Sequence, residues 1–300
     1  MRGLHGVPNE QEPERTLPSR TPAIRPATVN DVEPIRAILA AHGNDGPVVV
    51  ADIVGPYVVH LIRRGRAHVA IVDEAIVGFG AAIDAGRAVH LADLFVHPDR
   101  LGQGIGKELL ETVFTGAIQR TTFASEDPRA LPLYVRAGMQ PLWTSLYLQG
   151  ASSALPTTAT SLDTASATPD RLAALEKDWS GTDRSIDHAF WGAMPDADAF
   201  VVRDGGDVAA LGYARVRQAA PIRVLDRLVI HPEADSTGAT IAAMRRAGRG
   251  GPVLACLLGP HPALRPLLEA GFRIADRDQF LASDPGLVDP ARLIPNPGML

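Results

Sequence analysis

Cysteine is nearly absent: Cys256 is the only one in 300 residues, which excludes an internal disulfide and any Cys-based metal site. Aromatic residues are few as well, at 5%, and the net charge is −5. The chain therefore lacks the basic, aromatic-laced surface that nucleic-acid binding requires. Long apolar runs are missing too. No stretch approaches the roughly 18–20 apolar residues of a membrane-spanning helix, and residues 1–22 contain no hydrophobic signal core. These absences predict a cytoplasmic protein with no membrane, nucleic-acid or metal partner.

What is present is ample apolar material, 46% of the residues. A chain of this length buries roughly 75% of its unfolded surface, so no staple is needed to hold the fold. The polar, proline-dotted residues 1–22 read as a disordered lead-in. Order is expected from Ile24, with a Thr28 or Asn30 cap and a helix carrying Val32, Ile35, Ile38 and Leu39 on one face. β-Branched runs at 67–73, 76–84 and 88–96 predict a strand meander. The period then becomes helical at 104–114, returns to a strand at 121–125, and becomes helical again at 127–138, where Gly138 ends the helix. The local basic clusters at 62–66 and 244–250 read as solvated helix ends or loops.

Residues 151–167 are rich in Ala, Ser and Thr and form the expected linker, with room for one short strand. Beyond it the order of the first half recurs. "GFGA" at 78 meets "GYAR" at 212, and "LFVHP" at 94 meets "LVIHP" at 228, at one common offset. "RALPLYVRAGM" at 129 meets "PALRPLLEAGF" at 262, an offset only one position shorter. Two copies of one α+β unit are predicted, spanning 23–150 and 168–300.

The stretch "HPDRLGQGIGKELL" (97–110) sets glycines at 102, 104 and 106 between a strand and a helix. Unpaired amides at a helix start, with no Cβ atoms in the way, suit a phosphate group. The Walker loop is excluded by Leu101 and Glu108, and the dinucleotide fingerprint by Lys107 or Leu109 at its third glycine.

"FVHPDRLGQGIGKELL" resembles the acetyl-coenzyme A signature of the GNAT acyltransferase superfamily, with Leu101 where the family carries Arg or Gln. "IRPATVNDVEPI" (24–35) and "DPRALPLYVRAGMQPLW" (127–143) extend the resemblance, although Asp127 replaces an Asn and Met139 a Phe. The resemblance implies tandem GNAT-like domains, each a mixed, mostly antiparallel sheet flanked by helices. It also implies acetyl-CoA as cosubstrate. The pantetheine arm would lie on main-chain groups of Leu94, Phe95 and Val96, and the pyrophosphate on the loop of Leu101, Gly102, Gln103, Gly104, Ile105, Gly106 and Lys107. Asp127 opens the second conserved segment.

An amine acceptor with a pKa near 10.4 is almost wholly protonated at neutral pH, so transfer needs a proton acceptor. Asp93 stands where GNAT proteins often carry a carboxylate, and an edge carboxylate that only fixes a loop is the competing reading. Tyr134 falls at the family's tyrosine, the general acid for the leaving thiolate; a packing tyrosine is the alternative. Cys256, in the apolar "PVLACLL", reads as packing. His97 and His231 precede Pro in matching turns and read as turn residues.

In the second copy, "HPEADSTGATIAAM" (231–244) keeps one glycine of three and places Asp235 opposite Leu101 and Thr240 opposite Gly106. Leu267 stands opposite Tyr134. This copy is expected to be a degenerate domain that walls the acceptor cleft, with "GTDRSIDHAFW" (181–191) as the candidate wall. The expected function is acetyl transfer to a small-molecule, peptide or protein amine by the N-terminal domain. A non-catalytic acyl-CoA sensor is the alternative. Acceptor identity and homodimerisation stay open.

Overall fold

The computed structural model describes residues 21–42, 51–125, 127–157, 161–217 and 222–300. Most of the expected 1–22 lead-in lies outside the described residues. Apolar spacing decides the elements. In the first half these are β1 (Ala23–Pro26), α1 (Val32–Ala41), α2 (Ala51–Arg63), β2 (Arg66–Val72), β3 (Ala75–Asp84), β4 (Val89–Val96), α3 (Ile105–Val113), β5 (Arg120–Ala124), α4 (Ala130–Arg136) and β6 (Gln140–Ala151). Thr28 is the cap at the start of the first helical segment, its amide and hydroxyl donating to Asp31 at 2.7 and 2.9 Å. Gly138, at φ +85°, ends α4 as its sequence position predicts.

The second half repeats the series as β7 (Leu162–Ser166), α5 (Pro169–Ser180), α6 (Ser185–Gly192), β8 (Asp198–Asp204), β9 (Asp207–Arg217), β10 (Ile222–Ile230), α7 (Ser236–Gly248), β11 (Pro252–Leu258), α8 (Leu264–Glu269) and β12 (Arg273–Ala282), with β13 (Leu293–Ile294) added. β7 is the short strand inside the linker. The hydrogen bonds refine the repeat. His97 donates its amide to Val77, and His231 donates to Ala209. With His97 set against His231, as in the "LFVHP" and "LVIHP" match, Val77 therefore falls on Ala209 and not on Leu211. The "GFGA" and "GYAR" match is displaced by two positions from true structural equivalence.

All strands join one sheet in the order β1-β2-β3-β4-β5-β12-β6-β11-β10-β9-β8-β7, with β13 beside β10. Only β4–β5 and β10–β11 are parallel among the described pairings. The halves exchange strands: β12 pairs with β5 of the first half, and β6 pairs with β11 of the second. Each half thus completes the other's sheet.

The core crosses between halves as well. Phe79, Ile83 and Leu61 pack in one cluster with Trp191, Leu211 and Tyr213. The buried carboxylates at this junction are paired, as burial demands. Asp187, on α6, receives His60 and Arg64 from the α2 end of the first half and Arg184 from the start of its own helix. Glu176, on α5, takes the two terminal guanidinium nitrogens of Arg227 at 2.7 and 2.8 Å and His188 at 2.9 Å. No helix among the described residues is long and apolar enough to cross a membrane.

Candidate active site

β4 and β5 run side by side only from Val89 to Leu91, opposite Arg120 to Thr122. Immediately beyond, the β3–β4 register skips Ala92, a bulge that raises local twist. β5 meanwhile continues through Phe123 and Ala124 paired only with β12, which lies along its other edge from Thr121. The last half of β4 is therefore left without a strand on one side. Strand parity decides which groups face the gap. The His97–Val77 bond makes Phe95 and Asp93 the residues whose main-chain groups bond to β3, so those of Leu94 and Val96 point into the gap. Of the three residues proposed to line the pantetheine, Phe95 has its amide and carbonyl directed at Phe79 instead. His42, at the end of α1, places Nε2 2.7 Å from the Val96 carbonyl oxygen and packs its ring on Phe95.

The glycine loop stands at the mouth of this gap. Gly102 and Gly104 adopt φ of +77° and +84°, and a Cβ on either would project into open space. Left-handed backbone of this kind strains any residue with a side chain, so glycine is required here. α3 starts at Ile105 with no side chain capping it. Among the described residues, none accepts the amides of Gly102, Gln103, Gly104, Ile105 or Gly106. Leu101 and Lys107 differ: their amides donate to Pro98 and Gly104, and Leu101 packs its side chain on the cluster of Val96 and Ile105. Five adjacent donors at a helix start form a cradle for a polyanion. The residues present fit a diphosphate, with the cradle on Gly102–Gly106.

Two polar side chains frame the gap. Asp93, just past the bulge, is half-buried, and its Oδ2 has no hydrogen-bond partner among the described residues. Burial raises its pKa to about 7, partly offset by the nearby Tyr57 hydroxyl. That hydroxyl has one proton, which also has the Gly298 carbonyl within 3.3 Å. Tyr134 is buried in the cluster of Leu91, Leu110 and Leu94. Burial pushes its phenol up, and the charges of Asp93 and Asp127 add to the shift. It keeps its proton at neutral pH.

The second copy shows the same framework filled in. β10 and β11 separate after Leu225, and Asp226 is the bulge residue. There β13 enters the gap, pairing Ile294 with Leu228 and Leu293 with Val229. Ile230, the counterpart of Val96, donates its amide to the Arg292 carbonyl. The helix start is closed too, because the Asp235 carboxylate accepts the amides of Thr237 and Gly238 at 3.0 and 3.1 Å. A Cβ on Gly238 would run into Asp235 and Leu162. At the position of Asp93 stands Arg227, committed to Glu176.

Other sequence-marked residues are accounted for locally. Asp127 is clasped by Arg129 through three contacts of 2.8–2.9 Å, which with the Arg129 charge hold its carboxyl below the usual range. Cys256 is buried, and burial pushes its thiol up, so it is unreactive. His97 and His231 each accept the amide two residues on. The basic clusters are anchored: Arg64 bonds the Asp84 carbonyl, and Arg246 pairs with Asp198. His42 and Tyr57 are absent from the sequence reading. Val54, Tyr57, Val58, Leu61 and Ile62 carry helical spacing and pack in one cluster, but Pro56 interrupts the pattern.

Residues 63–140 match the family model of the acetyltransferase (GNAT) domain. This stretch of the first half is therefore similar to a GNAT domain. Solved structures extend the likeness to the whole chain, which has the architecture of tandem GNAT proteins. A putative acetyltransferase from Pyrococcus horikoshii superposes with a TM-score of 0.66 at 14% identity, over 99% of this chain and 98% of its own. A tandem GNAT protein from the clavulanic acid biosynthesis pathway gives 0.58 at 16% identity, over 89% and 100%. A GCN5-related N-acetyltransferase from Kribbella flavida gives 0.57 at 14%, over 87% and 71%. No curated protein matches the sequence. The match of residues 63–140 to an acetyltransferase domain model supports acyl transfer in general.

Proposed function

We propose that this chain is an acetyl-CoA-dependent N-acetyltransferase with a single active site, in the first half. One observation carries the reading. The last half of β4 has no strand beside it in the β4–β5 gap, with only the Val96 carbonyl met there by His42, and the Gly102–Gly106 amides lack acceptors among the described residues, while the equivalent gap of the second half is taken by β13 and two of the equivalent amides by Asp235. When bound, acetyl-CoA supplies the thioester whose carbon–sulfur bond breaks as the acceptor nitrogen bonds the acetyl carbon. Leu94 and Val96 would hold the pantetheine through main-chain groups, and the loop amides would hold the pyrophosphate. Hydrogen bonds to such a charged group contribute about 1.5–3 kcal/mol each.

Asp93 takes the proton that the acceptor nitrogen sheds. A carboxylate with pKa about 7 is matched to this work near neutral pH. Tyr134 gives its proton to the departing sulfur. The domain division follows: a catalytic unit at 23–150, a linker at 151–167 and a degenerate unit at 168–300 that lends β12 to the catalytic sheet. Thiol release from acetyl-CoA in the presence of a panel of amines and peptides tests the reading. Acceptor-dependent release supports it; tight acetyl-CoA binding with no release on any acceptor overturns it in favour of a sensor.

A further inference from the structure

Two cavities lie where the halves meet, and Tyr57, whose hydroxyl neighbours Asp93, lines the inner one. The inner one, about 160 Å³, is walled by Tyr57, Phe190, Trp191, Met194 and Met299. The outer one, about 550 Å³, opens beside β9 and β12, where Arg217 and Asp276 face it. They share Arg215, Asp226 and Asn296, and so adjoin. The inner chamber sets aromatic and methionine side chains beside Arg215, Asp226 and Asn296, and Trp191, only 2% exposed, has an Nε1 with no hydrogen-bond partner among the described residues. A buried donor left unpaired costs stability unless something else accepts its proton.

We infer that these chambers form the acceptor site, and that the acceptor is a small zwitterionic amine of the amino-acid class. The inference rests on the acyl-transfer reading above. The chambers present guanidinium groups at Arg215 and Arg217 and carboxylates at Asp226 and Asp276. A ligand of one charge sign would meet two like charges, whereas a zwitterion is matched at both ends. Its amino group turns inward, between Asp226 and Tyr57 and toward Asp93. Its carboxylate stays in the outer chamber on Arg217, which has no ion-pair partner among the described residues. Arg215 is already paired with Asp226 at 3.2 Å. Helix α6, marked in the sequence as a cleft wall, supplies Phe190, which stacks on His60 at 4.3 Å and so fixes the chamber's side.

The test pairs free amino acids with their decarboxylated amines, such as phenylalanine with phenethylamine and lysine with cadaverine. Both binding, by calorimetry without acetyl-CoA, and thiol release are measured. The favoured amino acid is expected to exceed its decarboxylated partner about tenfold in each readout, the scale of one charge-assisted hydrogen bond. Arg217→Ala, an exposed change that spares the fold, is expected to erase that preference and leave the acetyl-CoA KM unchanged. Equal or better handling of the decarboxylated amines, or a preference unmoved by Arg217→Ala, overturns the inference. Arg217-dependent amino-acid binding with no thiol release on any amine keeps the cavity assignment and removes acyl transfer. Thiol release that ignores both Arg217→Ala and Trp191→Phe does the reverse.

Discussion

Ile294 pairs with Leu228 in antiparallel register, in the place that stays open beside Leu94 in the first half. One chain thus contains the same gap twice, once free of a strand among the described residues and once closed by its own. Ile294 is fully buried, so Ile294→Ala is expected to cost about 2–5 kcal/mol in urea unfolding. It is not expected to create a second acetyl-CoA site, because Asp235 still occupies the helix amides. A second site appearing in this variant would assign the blockade to β13 alone.

Asp93 sets the acid limb of activity. With its pKa raised to about 7, its proton-accepting form grows as pH rises through that value. The value of kcat/KM is expected to climb between about pH 6 and 8 and then level off. Asp93→Asn should flatten this limb and lower turnover. A limb that persists in the variant at the same pH would place the titration elsewhere.

Tyr134→Phe keeps the packing and removes the proton. Turnover is expected to fall about ten- to a hundredfold, while acetyl-CoA affinity holds. Burial raises the phenol's pKa, so no loss of activity from its ionisation is expected up to about pH 10, the ordinary phenol value. Unchanged turnover would make Tyr134 a packing residue.

The loop glycines can be tested against their own copy. Gly104→Ala forces a side chain into left-handed backbone, at about 1–2 kcal/mol, and crowds the cradle. Acetyl-CoA affinity is expected to drop at least about tenfold, a loss of about 1.4 kcal/mol in binding. Gly238→Ala is expected to leave that affinity intact and lower stability instead, through its collision with Asp235 and Leu162. Equal effects of the two on binding would contradict the asymmetry.

The junction between halves has an acid limit. Burial opposes ionisation of Glu176, but the charge of Arg227 and the His188 hydrogen bond overcome it and hold the carboxyl below its ordinary value of 4.5. A carboxyl depressed in the folded state contributes stability above its unfolded pKa and loses it as pH falls toward the folded one. Urea midpoints are therefore expected to decline below about pH 4.5. Arg227→Met, which strands Glu176 without its partner, should cost about 3–5 kcal/mol at pH 7.

Much of this was legible in the residues. The meander, the helix after the glycines and the recurrence of the whole series follow from local period and turn chemistry, so Gly102, Gly104 and Gly106 could be read as a cradle without coordinates. The departure of the second copy's loop from the glycine pattern was legible in Asp235 and Thr240. What could not be read was non-local. No spacing announces that β6 and β12 change places, or that Leu293 and Ile294, close behind Pro290, return to pair with a strand from much earlier in the chain. The commitment of Phe95's main chain to β3 depends on a bulge at Ala92, which has no sequence mark. The displaced match at 78 and 212 arose because small and aromatic residues alternate in both strands, and a shift of two preserves that alternation.

Titration of the intact chain with acetyl-CoA by isothermal calorimetry tests the single-site account most directly. One site per chain is expected, and it should be weakened by Gly104→Ala but not by Gly238→Ala. Two equal sites, or none, would contradict the account.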